Sequence, residues 1–414
     1  MSAAYLEALH AASPFPGGVA PSYDGHGLVN AGNAVLAALG APAGKILAPE
    51  VLPEEMVRGV TRVLLVLVDG LGFEQLQALR GKESLALFDA GRGGALAPIT
   101  AVAPSTTTSA VASLCTATAP LGHGLLGYRL YLKELGVLAN MIRFAPVTGG
   151  QPFDARGFEP RAFFSAPTVF ERLKAAGARA LAITRKDFLG SALSRMVHAG
   201  AETAGFASQS DMAVHARKAL EGLGDHRGLV FAYWDLLDSL GHRYGALGEE
   251  YRAELALLDH ALNREVFSRK GDGRTLVLLT ADHGHINVPP EKRVDLRTHP
   301  DLLDALSMAP AGEPRFSYLS VKAGRRDEVL DYVRREFGGF GTALPAEESV
   351  RRGYFGPGPA HPAAADRLGD IHLMPTKDHA FLFPFPGEKS ADLIGRHGGF
   401  TPEEMLVPLL AVRL

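Results

Sequence analysis

Cysteine is almost missing from this 414-residue chain: Cys115 stands alone. An intramolecular disulfide is excluded, and so is a cysteine-based zinc site. An excess of one charge is missing too. The chain has 42 Lys and Arg against 45 Asp and Glu, a formal net charge of −3. That offers neither a basic surface for nucleic acid nor a polybasic membrane anchor. No apolar run approaches the roughly 20 residues that span a bilayer. The first ten residues lack the basic stretch and apolar core of a secretory signal, so a cytoplasmic location is the expectation. Composition says nothing about oligomeric state. What the chain does have is apolar content: 47% hydrophobic and 21% charged residues, enough for a large α/β domain plus an insertion.

Three stretches share one design. Arg62-Val-Leu-Leu-Val-Leu-Val is a fully apolar strand that ends in Asp69, and Gly70 and Gly72 permit a tight turn after it. The Gly-Leu-Gly lacks the third glycine of a dinucleotide fingerprint, and Asp69 would repel a pyrophosphate, so that reading fails. Gly228-Leu-Val-Phe-Ala-Tyr-Trp is a second apolar strand, followed by Asp235, Asp238 and His242. Asp238 and His242 are four apart, which places both on one face of a helical turn, able to grip one ion. Asp235 could be a ligand, a partner of one, or a helix cap. Leu276-Val-Leu-Leu-Thr-Ala is the third, ending in Asp282, His283 and His285. Continuous apolar strands are those of a buried parallel sheet. Acids and imidazoles at their carboxyl ends lie where open α/β sheets bind ligands, and that donor set suits a transition metal.

Between the first two strands, Pro104-Ser-Thr-Thr-Thr-Ser precedes an Ala-rich helical pattern. One hydroxyl serves as a helix N-cap, but consecutive hydroxyl residues exceed what a cap needs. A threonine at a helix N-terminus beside a metal can act as a nucleophile. Cys115 is expected to pack in the core. Near the end, Gly395-Arg-His397-Gly-Gly places an imidazole among glycines, and Thr401 with Glu404 forms a capping box. Two metals about 4 Å apart are the arrangement used for phosphoryl transfer, and three aspartates with His242, His283 and His397 supply enough donors. Residues 1–60 read as a peripheral arm, 61–287 and 385–414 as the catalytic α/β core, and 288–384 as an inserted α+β cap whose histidines are not preferred ligands.

The ordered set Val-Asp69-Gly-Leu, Pro104-Ser-Thr-Thr107, Asp238-Ser-Leu-Gly-His242, Ala-Asp282-His283-Gly and Arg-His397-Gly-Gly resembles the alkaline phosphatase superfamily. It is most similar to the type I phosphodiesterase/nucleotide pyrophosphatase branch. The resemblance implies an alkaline-phosphatase-like α/β fold, a largely parallel central sheet with helices on both faces and the small inserted subdomain. It implies two divalent ions, zinc or manganese: Asp69, Asp282 and His283 would hold one, and Asp238, His242 and His397 the other. Thr107 would be the nucleophile, passing through a phospho-threonine intermediate, and His285 has no ligand counterpart. The substrate would be a small phosphate ester or phosphonate. The sequence departs from the branch at Thr108, where an aromatic residue usually stacks a base, and at Tyr128 and Arg129, which replace a phosphate-binding asparagine and become candidate substrate contacts. A phosphomonoesterase or phosphonate hydrolase is the nearest alternative reading, and a non-catalytic ligand-binding relative is another.

Overall fold

The computed structural model describes residues 2–386, 388 and 392–414; residues 387 and 389–391 of the expected core segment 385–414 lie outside the described residues. The central sheet has seven strands. Their spatial order is Ala95–Thr100, Leu406–Arg413, Thr275–Thr280, Arg62–Val68, Gly228–Trp234, Arg179–Arg185 and Glu202–Phe206. Only Leu406–Arg413 runs against its neighbours. Every residue of Val63–Val68 and of Thr275–Thr280 is buried. Because successive side chains point to opposite faces, both faces of the sheet are covered.

The parallel register decides where the chemistry falls. Val68 pairs with Trp234, and Leu67 with Thr280, so the three central strands stop level with one another. Asp69, Asp238 and Asp282 follow within a few residues of those ends. The helix Leu236–Tyr244 begins directly after its strand and carries Asp238 and His242 on its first two turns.

Part of the segment 1–60 is core rather than peripheral. The helix Leu28–Ala38 is buried from Leu28 to Leu36 and packs along the helix Thr107–Thr116. Gly32 allows this approach, since a Cβ there would lie 2.5 Å from Leu114 O. Asn33 Nδ2 donates to Ala117 O at 3.1 Å, satisfying a carbonyl at the end of the partner helix. The small residues of this stretch are the ones a close helix pair requires.

The cap is also larger than its sequence suggested. Its sheet has seven antiparallel strands, and 311–313, 316–319, 341–345 and 371–375 are joined by 129–132, 137–140 and 145–146. The core reading of 61–287 therefore gives up 129–146 to the second sheet. The helix Arg326–Phe337 buries Val329, Val333 and Phe337 on one stripe, against Leu319, Ile371 and Phe381. Among the described residues no helix is long and apolar enough to cross a membrane.

A fully buried ion pair joins cap to core. Arg315 Nε and Nη2 lie 2.6 and 2.7 Å from the two oxygens of Glu404, and both side chains are fully buried. Arg315 Nη1 also reaches Lys377 O at 2.7 Å and His379 O, and Glu404 accepts from Gly399 N at 2.9 Å and Thr401 Oγ1 at 2.8 Å. Removing one partner strands a buried charge. Arg315→Met should cost about 3–5 kcal/mol in urea unfolding, and Arg315→Met with Glu404→Gln should cost less than Arg315→Met alone. An equal or greater loss in the double variant would contradict this account.

Three histidines give the fold a pH limit. Burial pushes the imidazoles of His123, His198 and His372 down to about 3, 4 and 3. Unfolding returns each to its ordinary value near 6.5, so the unfolded chain binds more protons below that pH. Their contribution is whole above pH about 6.5 and is lost as pH falls toward 4, by up to about 1.4 kcal/mol per pH unit for each. Unfolding free energy measured from pH 7.5 to 4.5 should fall steeply over the lower half of that range; a flat profile is the contrary outcome.

Candidate active site

The structure gathers the strand-end residues into two compact groups. The ligand atoms of Asp69, Asp282 and His283 all lie within 4.8 Å of one another, and so do those of Asp238, His242 and His397. A third set of the same tightness combines Asp238 and His283 with His285. His285, which the family pattern leaves without a role, has its Nε2 3.0 Å from Asp238 Oδ1. Its ring explains two glycines: a Cβ on Gly70 would sit 2.6 Å from His285 Cε1, and one on Gly241 would sit 3.0 Å away.

Backbone carbonyls orient the imidazoles. His242 Nδ1 lies 2.7 Å from Gly395 O, His397 Nδ1 3.0 Å from Ser105 O, and His283 Nδ1 3.1 Å from Gly284 O. A carbonyl can only accept, so in each ring Nδ1 carries the hydrogen and Nε2 of the neutral ring carries the lone pair. Those Nε2 atoms face carboxylates: His283 to Asp69 Oδ1 at 3.5 Å and to Asp282 Oδ2 at 3.4 Å, His242 to Asp238 Oδ1 at 3.3 Å. Lone pairs opposed to carboxylate oxygens repel unless a cation lies between them. Asp282 Oδ2 is buried without a hydrogen-bond partner, and the buried Asp238 Oδ1 faces His285 Nε2 at 3.0 Å. The donor set fits divalent metal.

The protonation equilibria show the same strain. Burial, then the charges of Asp282 and Asp238, hold the Asp69 carboxyl well above its usual range. Asp238 is displaced the other way. Burial alone would raise it, but His242, His285 and His397 together hold it well below. His397 is pushed well down by burial and by His283 and His242 around it; its ring stacks on His283 at 3.6 Å between centroids.

Thr107 stands between these groups and the helix it begins. Its Oγ1 is 3.2 Å from His283 Nε2 and 3.5 Å from Asp69 Oδ1. Thr106 is the N-cap of Thr107–Thr116, yet its side chain makes no cap hydrogen bond; it is drawn to Glu313 instead. The first N–H groups of the helix are thus left without that cap, beside Thr107. Thr108 is fully buried in the same helix.

Tyr128 and Arg129 are held by acidic side chains. Tyr128 N donates to Glu313 Oε1 at 2.6 Å, and its hydroxyl accepts from Asn140 Nδ2 at 2.6 Å. Arg129 is buried, with Nη2 2.6 Å from Glu388 Oε2 and Nη1 3.2 Å from Phe383 O. Both Nη atoms are engaged while Nε is buried without a partner, and neither residue lines the cavity of about 210 Å³ that opens on Thr107, Asp69 and Asp238.

Two residues escaped the sequence reading. Tyr233 donates a short hydrogen bond to Asp69 Oδ2, and burial beside Asp69 keeps its phenol protonated far above the ordinary range. A lone hydroxyl near the end of an apolar strand was the available signal. Glu313 reaches from the cap to Thr106 and Tyr128, and burial raises its carboxyl to about 7. No local pattern marks it.

Comparison with known proteins follows the same line. Murine ectonucleotide pyrophosphatase/phosphodiesterase 5 superposes with a TM-score of 0.62 at 18% identity, covering 84% of this chain and 87% of that one. The human protein of that name gives 0.63 at 17%, with the same coverage. Phosphonoacetate hydrolase from Sinorhizobium meliloti 1021, in complex with phosphonoformate, gives 0.65 at 21%, covering 86% and 90%. At such identities the likeness shows the fold, which is alkaline-phosphatase-like. The sequence matches no protein of curated function. The family model described as type I phosphodiesterase/nucleotide pyrophosphatase matches residues 63–400. That span is most of the chain and holds every strand-end residue from Asp69 to His397, so the chain belongs to the type I phosphodiesterase/nucleotide pyrophosphatase family of the alkaline phosphatase superfamily.

Proposed function

We propose that the protein is a two-metal hydrolase of the phosphodiesterase/nucleotide pyrophosphatase type, with Thr107 as the residue that takes up the phosphoryl group. The observation that carries this reading is the seat of Thr107 Oγ1, 3.2 Å from His283 Nε2 and 3.5 Å from Asp69 Oδ1, at the first position of a helix whose cap side chain is turned away. Asp69, Asp282 and His283 would hold one ion and Asp238, His242 and His397 the other, zinc being the natural choice for imidazole and carboxylate donors. Bound ions supply Lewis acidity, favouring an ionised nucleophile and offsetting charge on phosphoryl oxygens.

The protein's own groups do the remainder. The N–H groups at the start of Thr107–Thr116 face the anionic phosphoryl oxygens. Thr107 Oγ forms a bond to phosphorus as the ester oxygen leaves in line, and water then cleaves the phospho-threonine and returns the hydroxyl. Tyr233 holds Asp69 in place through its hydrogen bond, and the carbonyls of Gly395, Ser105 and Gly284 keep three imidazoles in the tautomer that presents Nε2. Thr108 presents no aromatic face for a base.

Thr107→Ala should lower turnover of a p-nitrophenyl ester by roughly 10³-fold or more while metal content by atomic absorption stays unchanged. Full activity in that variant moves the nucleophile to another residue. Purified protein should hold about two transition-metal ions per chain. Chelation should lower its melting temperature and zinc should restore it, by up to about 4 kcal/mol at saturating metal. His285→Asn should weaken metal retention by about 10–100-fold, and a stoichiometry near zero in the wild type would sink the two-metal reading.

A further inference from the structure

The cap sends one side chain to the place where the loop before Thr107 meets the loop after His397. Glu313 ends the strand Ala311–Glu313 and is buried. Its Oε1 accepts from Tyr128 N at 2.6 Å, and the same carboxyl takes the hydroxyl hydrogen of Thr106. Gly398, next to His397, makes room for it: a Cβ there would lie 2.8 Å from Glu313 Cβ. Ser105 ties the same two loops together, with Oγ 2.8 Å from Gly399 O and 3.2 Å from Gly398 N.

The Thr106 hydroxyl has a rival use. An N-cap threonine ordinarily accepts from the N–H of the second or third helical residue, here Thr108 or Ser109. That contact is absent. The N–H groups concerned open a ten-residue helix whose first residue is Thr107, and Thr107 Oγ1 lies 3.2 Å from His283 Nε2. A cap hydroxyl folded onto them would remove a donor from a bound anion. It would also set an oxygen lone pair where phosphoryl oxygens are to lie. Local preference thus opposes phosphoryl binding unless a stronger acceptor draws the hydroxyl away. A carboxylate is such an acceptor, because hydrogen bonds to charged groups are the stronger ones.

We infer that Glu313 is a positioning residue for phosphoryl binding: by holding the Thr106 hydroxyl, it keeps the first N–H groups of the helix Thr107–Thr116 free for the phosphoryl oxygens. The inference rests on the phosphoryl-transfer reading above for what lies against those groups. It gives the cap a share in that binding through a residue that need not touch the substrate.

The test is calorimetric binding of inorganic phosphate to the zinc-loaded full chain, with zinc content matched between variants and at a pH above about 7, where the Glu313 carboxyl is ionised. Glu313→Met keeps the length of the side chain and loses both acceptor oxygens, so phosphate should bind about 10–100-fold more weakly. Thr106→Val keeps the shape but cannot cap, and its affinity should stay close to that of the wild type. Glu313→Met combined with Thr106→Val should recover most of the lost affinity, because no hydroxyl remains to fold onto the helix. Glu313→Gln, whose amide can still hold the Thr106 oxygen, should lose less than Glu313→Met. If Glu313→Met fails to fold, Glu313→Asp, too short by a methylene to keep both contacts, carries the same comparison with and without Thr106→Val.

A merely structural Glu313 would not be rescued by a second substitution at Thr106. A double variant no better than the Glu313 variant alone therefore overturns the inference, and so does an equal loss in Thr106→Val by itself. Ester hydrolysis by the wild type separates the two readings. Hydrolysis and phosphate binding without rescue remove this inference alone, whereas a wild type that neither binds phosphate nor hydrolyses any ester removes the phosphoryl-transfer reading and this one with it.

Discussion

Buried like charges are the constraint on which this structure turns. Asp69 and Asp282 are buried, Asp238 lies against the same cluster, and the imidazoles around them offer lone pairs rather than hydrogens. In low dielectric such a cluster is unfavourable by many kcal/mol unless positive charge enters it. The lifted Asp69 carboxyl and the depressed His397 imidazole are two expressions of that imbalance. A cluster that cannot satisfy itself is built to be satisfied by something bound. The contrast is the Arg315–Glu404 pair, equally buried but closed on itself through two short contacts.

The scaffold's task is to hold that unfavourable arrangement still. Parallel strands stopping in register place the aspartates side by side, and ladder hydrogen bonds continue past the strand ends, with Asp69 N donating to Trp234 O at 2.8 Å. Close packing removes remaining freedom. His285 sits where Gly70 and Gly241 have no side chain, and the helix Leu28–Ala38 braces the helix that starts at Thr107. Glu404, bound to the cap through Arg315, also accepts from Gly399 N, two residues after His397. The cap thereby fixes an imidazole of the core.

How much of this was legible depended on whether the signal was local. The apolar strands ending in Asp69 and Asp282 and the four-residue spacing of Asp238 and His242 announce themselves, because periodicity and strand ends are properties of a few adjacent residues. The pattern of Leu28–Ala38 is helical, but the closeness of Gly32 to Leu114 is a contact between distant segments. Residues 129–146 were counted with the core because the pairing of Arg129 with Gly312 links residues far apart in the chain. Tyr233, Glu313 and His285 act through atoms contributed by other segments, and no spacing encodes them. Arg129 read as a candidate substrate contact, and its partner Glu388 lies 259 residues away.

The same division separates reaction from specificity. Residues that would carry the phosphoryl chemistry sit at the ends of central strands, where a shift of one position would dismantle the cluster. The wall of the neighbouring cavity comes from the segment after Arg179–Arg185 and from the outer face of the Asp235 turn, which the sheet positions but does not dictate. Phe188, Leu193 and Ser194 are only half-buried, so side chains there can change in size or charge without disturbing Asp69 or His283. Arg185 shows how such a change is contained: its charge is held by Asp235 and Asp187. The cavity wall can therefore change without moving the strand-end aspartates, because it lies on connecting segments that carry less of the packing than the sheet does.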